Sequence, residues 1–135
     1  MGLSLKAIAN QLDGTLRIVD IEHAIRSDDI HCATTALVTI ENTHIDCGGR
    51  ILSPEYTASV VNLCKKYNLK SHLDGARLFN AAVKLGIEPR QLTEGIDSVT
   101  LCLSKGLAAP VGAVLAGTCD FIRSARRIRK VCNLL

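Results

Sequence analysis

Three short polar clusters in this chain carry side chains capable of covalent chemistry. They are Asn42-Thr43-His44, Asp74-Gly75-Ala76-Arg77 and Ser104-Lys105-Gly106. Each follows an apolar run: Ala36–Glu41, Leu69–Leu73 and Ser98–Leu103, respectively. If those runs are strands of one open α/β sheet, the clusters sit beyond strand carboxyl ends, where such sheets bind ligands. One histidine, one aspartate, one arginine and one lysine would then converge on one edge. A lysine can form a Schiff base with an aldehyde when neighbouring cations lower its pKa. A carboxylate paired with a pyridine nitrogen keeps that nitrogen protonated, so the ring can act as an electron sink. Asp74 and Lys105 have the types that pyridoxal phosphate (PLP) chemistry needs. Alone, Ser-Lys-Gly is a solvated lysine and Asp-Gly a turn; their joint position makes them a site.

The elements that must position these residues are legible from patterning. Asp20–Arg26 reads as a short helix with Ile21, Ala24 and Ile25 on one face. Ala36–Glu41 is β-rich and apolar and reads as a buried strand. Ser53-Pro54-Glu55 is a helix start, with an N-cap hydroxyl followed by proline at the first helical position. That helix should run to about Tyr67, with Val60, Val61 and Cys64 inward and Asn68 ending it. Leu69–Leu73 is a short strand, Leu78–Lys84 a short helix stopped by Gly86 and Pro89, and Ser98–Leu103 another buried strand. Alternating strands and helices argue for a parallel sheet. The pair Ser98–Leu103 and Val111–Ala116 should be antiparallel, because the link Ser104–Pro110 is too short for a parallel crossover. From Asp120 the chain reads as an amphipathic helix, with the stripe Phe121, Ile122, Ala125, Ile128, Val131 and Cys132. Arg123, Arg126, Arg127, Arg129 and Lys130 cover its remaining surface and read as an ordinary solvated face, with a basic groove for phosphate as the alternative.

Composition narrows the function classes. The 135 residues, 47% hydrophobic and 21% charged, suit one globular domain. No apolar run is long enough for a transmembrane helix, and no secretory signal is evident. A net charge of +3, no Trp and only two Phe and two Tyr give no nucleic-acid footprint. The six cysteines include no C-x-x-C pair and read as free thiols of a reducing, cytoplasmic compartment. Those in apolar runs, such as Cys102, would pack as small hydrophobes.

Four stretches carry a family resemblance. They are Ile40-Glu-Asn-Thr-His44, Gly48-Gly-Arg50, His72-Leu-Asp-Gly-Ala-Arg-Leu-Phe-Asn80, and Cys102-Leu-Ser-Lys-Gly-Leu107 through Pro110-Val-Gly112. Together, in register from Asp13-Gly14 to about Val131, they resemble the L-threonine aldolase family. Its members are PLP enzymes of the fold-type-I, aspartate aminotransferase-like superfamily. The resemblance implies an α/β fold: a partial, mainly parallel sheet with flanking helices and one antiparallel strand. Lys105 then corresponds to the Schiff-base lysine, Asp74 to the partner of the pyridine nitrogen, and Arg77 to a cofactor-contacting arginine. His31, in Asp28-Asp-Ile-His31, corresponds to a histidine near the substrate hydroxyl, and His44 to the floor of the site. His72 supports its strand, and His23 lies on a polar helix face.

The implied reaction is retro-aldol cleavage of a small β-hydroxy-α-amino acid, L-threonine or L-allo-threonine, to glycine and acetaldehyde. His31 would serve as base to the hydroxyl. The chain departs from the family pattern at Ile45, Ala33 and Thr34. The family chain is also more than twice as long, so residues 1–135 correspond to part of the PLP-binding large domain. Family members are homo-oligomers with interface sites, and no metal, membrane or nucleic acid is implied. The alternative expectation is a non-catalytic remnant, inactive alone or associated with a full-length homologue.

Overall fold

The computed structural model describes residues 2–132. In chain order the elements are α1 (Ile18–Ala24), β1 (Leu37–Glu41), α2 (Pro54–Lys66), β2 (Lys70–Asp74), α3 (Leu78–Leu85), β3 (Ser98–Cys102), β4 (Ala113–Gly117) and α4 (Cys119–Val131). One turn of 3₁₀ helix, Pro89–Leu92, stands between α3 and β3. The strands form a single sheet in the order β1-β2-β3-β4. The first three run parallel, and β4 pairs antiparallel with β3. The α/β fold and its single antiparallel pairing are therefore as the sequence predicts.

Local chemistry explains the element ends. Ser53 Oγ accepts the Tyr56 N–H (3.2 Å) at the start of α2, with Pro54 directly behind it. At its far end Asn68 takes φ +52°, and the Leu69 and Asn68 N–H groups donate back to the Cys64 and Lys65 carbonyls. That is a Schellman closure with asparagine in the left-handed position. Gly86, at φ +67°, ends α3. The turn at Pro89–Leu92 is not evident in a sequence reading that takes Pro89 as a stop. It forms because the Glu88 N–H donates to Gln91 Oε1 (3.0 Å), and it buries Leu92 completely.

The strands differ from the expectation of fully buried runs. In β1 only Val38 and Ile40 are buried, and in β2 only Ser71 and Leu73. These residues, with Val99, form one face, covered by Val60, Leu63 and Cys64 of α2 and Leu78, Ala81 and Ala82 of α3. Because side chains alternate along a strand, Thr39, Glu41, His72, Asp74 and Thr100 fall on the opposite face. That face is polar and is covered by neither α2 nor α3. His72 is tied there to β3: Nδ1 lies 2.8 Å from Ser98 Oγ and Nε2 3.2 Å from Thr100 Oγ1. The expected stripe on α4 is only partly used. Ile122 and Ala125 are half-buried, whereas Ile128 and Val131 are exposed. The Phe121 ring lies over Gly117, where a Cβ would approach Cδ1 to 2.7 Å.

Candidate active site at the carboxyl edge of the sheet

Parallel pairing places the ends of β1, β2 and β3 at one edge. Glu41 and Asp74, the last residues of their strands, are lateral partners, and Asp74 is also the partner of Thr100. The loop after β1 is fixed from within. Asn42 is fully buried; its Nδ2 donates to the Leu52 carbonyl (3.0 Å) and its Oδ1 accepts the Leu52 N–H (3.3 Å). Its backbone N–H donates to the Asp74 carbonyl (2.9 Å), which extends the β1–β2 ladder past the strand end.

His44 is buried in this loop. Its N–H donates to the Arg50 carbonyl (2.8 Å), and its carbonyl accepts from Gly49 (2.9 Å). Gly14 seals the ring from the other side: at φ +84° it approaches so closely that a Cβ would stand 2.9 Å from His44 Cβ. The His44 Nε2 is 3.9 Å from Glu41 Oε2, and its buried Nδ1 has no hydrogen-bond partner among the described residues. A cavity of about 220 Å³ opens here, lined by Asn10, Gly14, Thr39, Glu41, His44 and Asp74.

The turn after β2 is tight. The Gly75 N–H donates to the Thr100 carbonyl (2.8 Å), and a Cβ at this position would stand 3.0 Å from that oxygen. Asp74 Oδ1 accepts the Ala76 N–H (3.0 Å), which orients the carboxylate. Arg77, half-buried, then opens α3.

Lys105 is exposed in the loop that leaves β3 at the same edge. The Ala108 N–H closes a turn on the Lys105 carbonyl (3.0 Å). Cys102 reports the charges around this loop. Its thiol lies 3.3 Å from Ser104 Oγ, and its pKa is lowered chiefly by that hydrogen bond, with the Lys105 and Arg77 cations adding to the effect. Cys102 is thus a half-buried thiol with polar company, not a purely apolar filler, because period-two alternation puts it on the polar face with Thr100.

Of the residues singled out in the sequence, His44 and Asp74 share the cavity, and Lys105 and Arg77 share the surroundings of Cys102. No hydrogen bond or ion pair joins Lys105 to Asp74 among the described residues. His31 stands apart from the cavity lining. It is exposed on a loop closed by the Arg26 N–H donating to Thr35 Oγ1 (3.0 Å), and its own N–H donates to Asp29 Oδ1 (2.8 Å). Glu41 escaped the sequence reading, although alternation with Thr39 was a usable signal. A carboxylate, a guanidinium and a primary amine at neighbouring strand ends are groups suited to a phosphorylated pyridine aldehyde. No group of three or more potential ligands able to hold a metal ion occurs among the described residues, and none of their helices is long and apolar enough to cross a membrane.

Residues 1–133 match the family model described as beta-eliminating lyase. The chain is 47% identical over 131 residues to a probable low-specificity L-threonine aldolase 2 of Arabidopsis thaliana, covering 96% of this chain and 37% of that one. It is 45% identical over 119 residues to the low specificity L-threonine aldolase of Escherichia coli K12, covering 88% and 35%. Among solved structures, a putative L-allo-threonine aldolase from Listeria monocytogenes superposes with a TM-score of 0.77 at 27% identity, covering 96% of this chain and 33% of that one. The chain therefore spans little more than a third of the length of the curated relatives it matches.

Proposed function

Because this chain belongs to the beta-eliminating lyase family, we propose that it forms the cofactor-binding core of a PLP-dependent lyase of the threonine aldolase type. The substrate would be a small β-hydroxy-α-amino acid, L-threonine or L-allo-threonine, cleaved to glycine and acetaldehyde. The observation that carries this reading is the common edge: Asp74 ends β2, and the Lys105 loop leaves β3 beside it. PLP, when bound, supplies an aldehyde for covalent capture and a ring that accepts electrons from the substrate carbon. Lys105 is the residue whose primary amine would hold the cofactor through that aldehyde. The Asp74 carboxylate, oriented by the Ala76 N–H, holds a proton on the ring nitrogen. Arg77 supplies a cation beside the same loop. His44 and Asn42 hold the floor under it. His31 is the residue assigned to the substrate hydroxyl, as its base. The assignment of His31 rests on resemblance alone.

A second reading, a core that takes cofactor without turning over by itself, is supported by the uncovered apolar residues Val111, Val114, Leu115 and Ile128. The test titrates the chain with PLP, follows visible absorbance and reduces the product with borohydride. A cofactor-sized mass on the Lys105 peptide supports the first part of the reading, and its absence refutes it. Acetaldehyde release from L-threonine then separates the two readings.

A further inference from the structure

Asn80 lies on the first turn of α3, three residues after Arg77 and six after Asp74. Gly106 follows Lys105 directly. A Cβ at Gly106 would overlap Asn80 Oδ1 and stand 2.8 Å from Cγ and 2.9 Å from Nδ2. The whole carboxamide thus occupies the volume a side chain at 106 would need. Gly106 does not adopt a left-handed φ, so it is this close approach, not the backbone conformation, that a side chain at 106 would disturb, by displacing the Asn80 carboxamide.

The remaining ties of the loop are internal. The Ala108 N–H donates to the Lys105 carbonyl (3.0 Å), the Ala109 N–H to the Leu103 carbonyl (3.0 Å), and the Leu103 N–H to the Gly112 carbonyl (2.9 Å). None of these bonds reaches α3; the Asn80 carboxamide on that helix meets the loop at Gly106 by packing. We propose that Asn80 is a positioning residue for Lys105: its carboxamide, seated on Gly106, fixes the Lys105 loop against α3 and so against the Asp74–Arg77 turn that leads into that helix. The proposal rests on the reading of Lys105 as the lysine that captures the cofactor. An aldehyde meets the amine productively only in a narrow range of positions, and a misplacement of about 1 Å can cost on the order of 100-fold in rate.

The experiment uses the 135-residue chain and the variants Asn80→Ala, Gly106→Ala and the double variant. Asn80 is exposed and alanine favours helix, so the fold should persist, with circular dichroism as the check. One readout needs no cofactor: the pH midpoint for alkylation of Cys102 by neutral iodoacetamide, read on its peptide by mass spectrometry. That midpoint should rise in each single variant as the Lys105 cation moves away, with Lys105→Met setting the scale. The other readout is PLP capture at Lys105, expected to weaken about tenfold in either single variant. The double variant should be no worse than the worse single, because one contact can be lost only once. Unchanged midpoint and capture in the single variants, or losses that add in full, would overturn the proposal. A parent chain that captures no PLP would instead refute the cofactor reading of Lys105, while the thiol readout still judges Asn80.

Discussion

Lys105→Ala removes the amine that would bind PLP covalently, so borohydride should fix no cofactor at that position. Asp74→Asn leaves the amine in place and keeps the Ala76 hydrogen bond, but takes away the charge that would hold the ring nitrogen protonated. Capture should then survive, weakened by about tenfold, and turnover in a complete enzyme should fall much further. Equal cofactor absorbance in Lys105→Ala and the parent would refute the assignment. Both residues were legible in the sequence because each lies just after an apolar run, and a parallel sheet gathers the loops that leave its strands at one edge. Asn80 was not legible as a partner of Gly106. The two are 26 positions apart, and only the packing of α3 against the β3–β4 link brings them together.

The loop between β1 and α2 depends on one side chain. Asn42→Ala deletes both hydrogen bonds to Leu52 and leaves a buried peptide N–H and carbonyl without partners. Each such group costs roughly 1–3 kcal/mol, so urea denaturation should show a loss of about 3 kcal/mol. A loss below about 1 kcal/mol would mean that water or a backbone shift replaces the amide. At the opposite edge, Asp97 joins β2 to the start of β3. Its carboxylate accepts from Lys70 Nζ (2.9 Å), the Ser71 N–H (2.9 Å) and Ser71 Oγ (3.0 Å). Burial pushes the Asp97 pKa up, but the hydrogen bonds from Lys70 and Ser71 together outweigh it and hold the value below the ordinary carboxylate range. A lowered folded-state pKa contributes stability that is present above the unfolded value, near 3.9. That stability is lost as the pH falls through the folded value. The parent chain should therefore lose stability below about pH 4, and Asp97→Asn should flatten that part of the profile. An identical acid limb in the variant would show that the carboxylate is not coupled to folding.

The described residues bury one face of the sheet under α2 and α3 and leave much of the other face, of β4 and of α4 exposed. Val111, Leu115, Phe121, Ile128 and Val131 are among the exposed apolar residues. Surfaces of this kind favour association, and the open edge strand β4 adds unpaired backbone groups to them. Little turnover of L-threonine or L-allo-threonine is expected from the chain alone, because on the proposed reading Asp74 and Lys105 would supply only two polar partners to a cofactor that also needs its phosphate held. Acetaldehyde formation at about one per second or faster would show that this core suffices.

The sequence by itself determined the order and type of the elements, the antiparallel turn at β4 and the helix ends at Ser53, Asn68 and Gly86, since caps, periodicity and short links act locally. It also singled out Asp74 and Lys105, because position after a strand is a local property. Tertiary structure decided the rest. Which face of β1 and β2 is covered by helices depends on where α2 and α3 lie, and the apolar composition of Ala36–Glu41 could not reveal that they cover only one side. The 3₁₀ turn that buries Leu92, the Gly14 seal on His44 and the Asn80 seat on Gly106 all join residues distant in sequence or depend on burial. Such contacts arise from how packed layers share space, and no window of neighbouring residues encodes them.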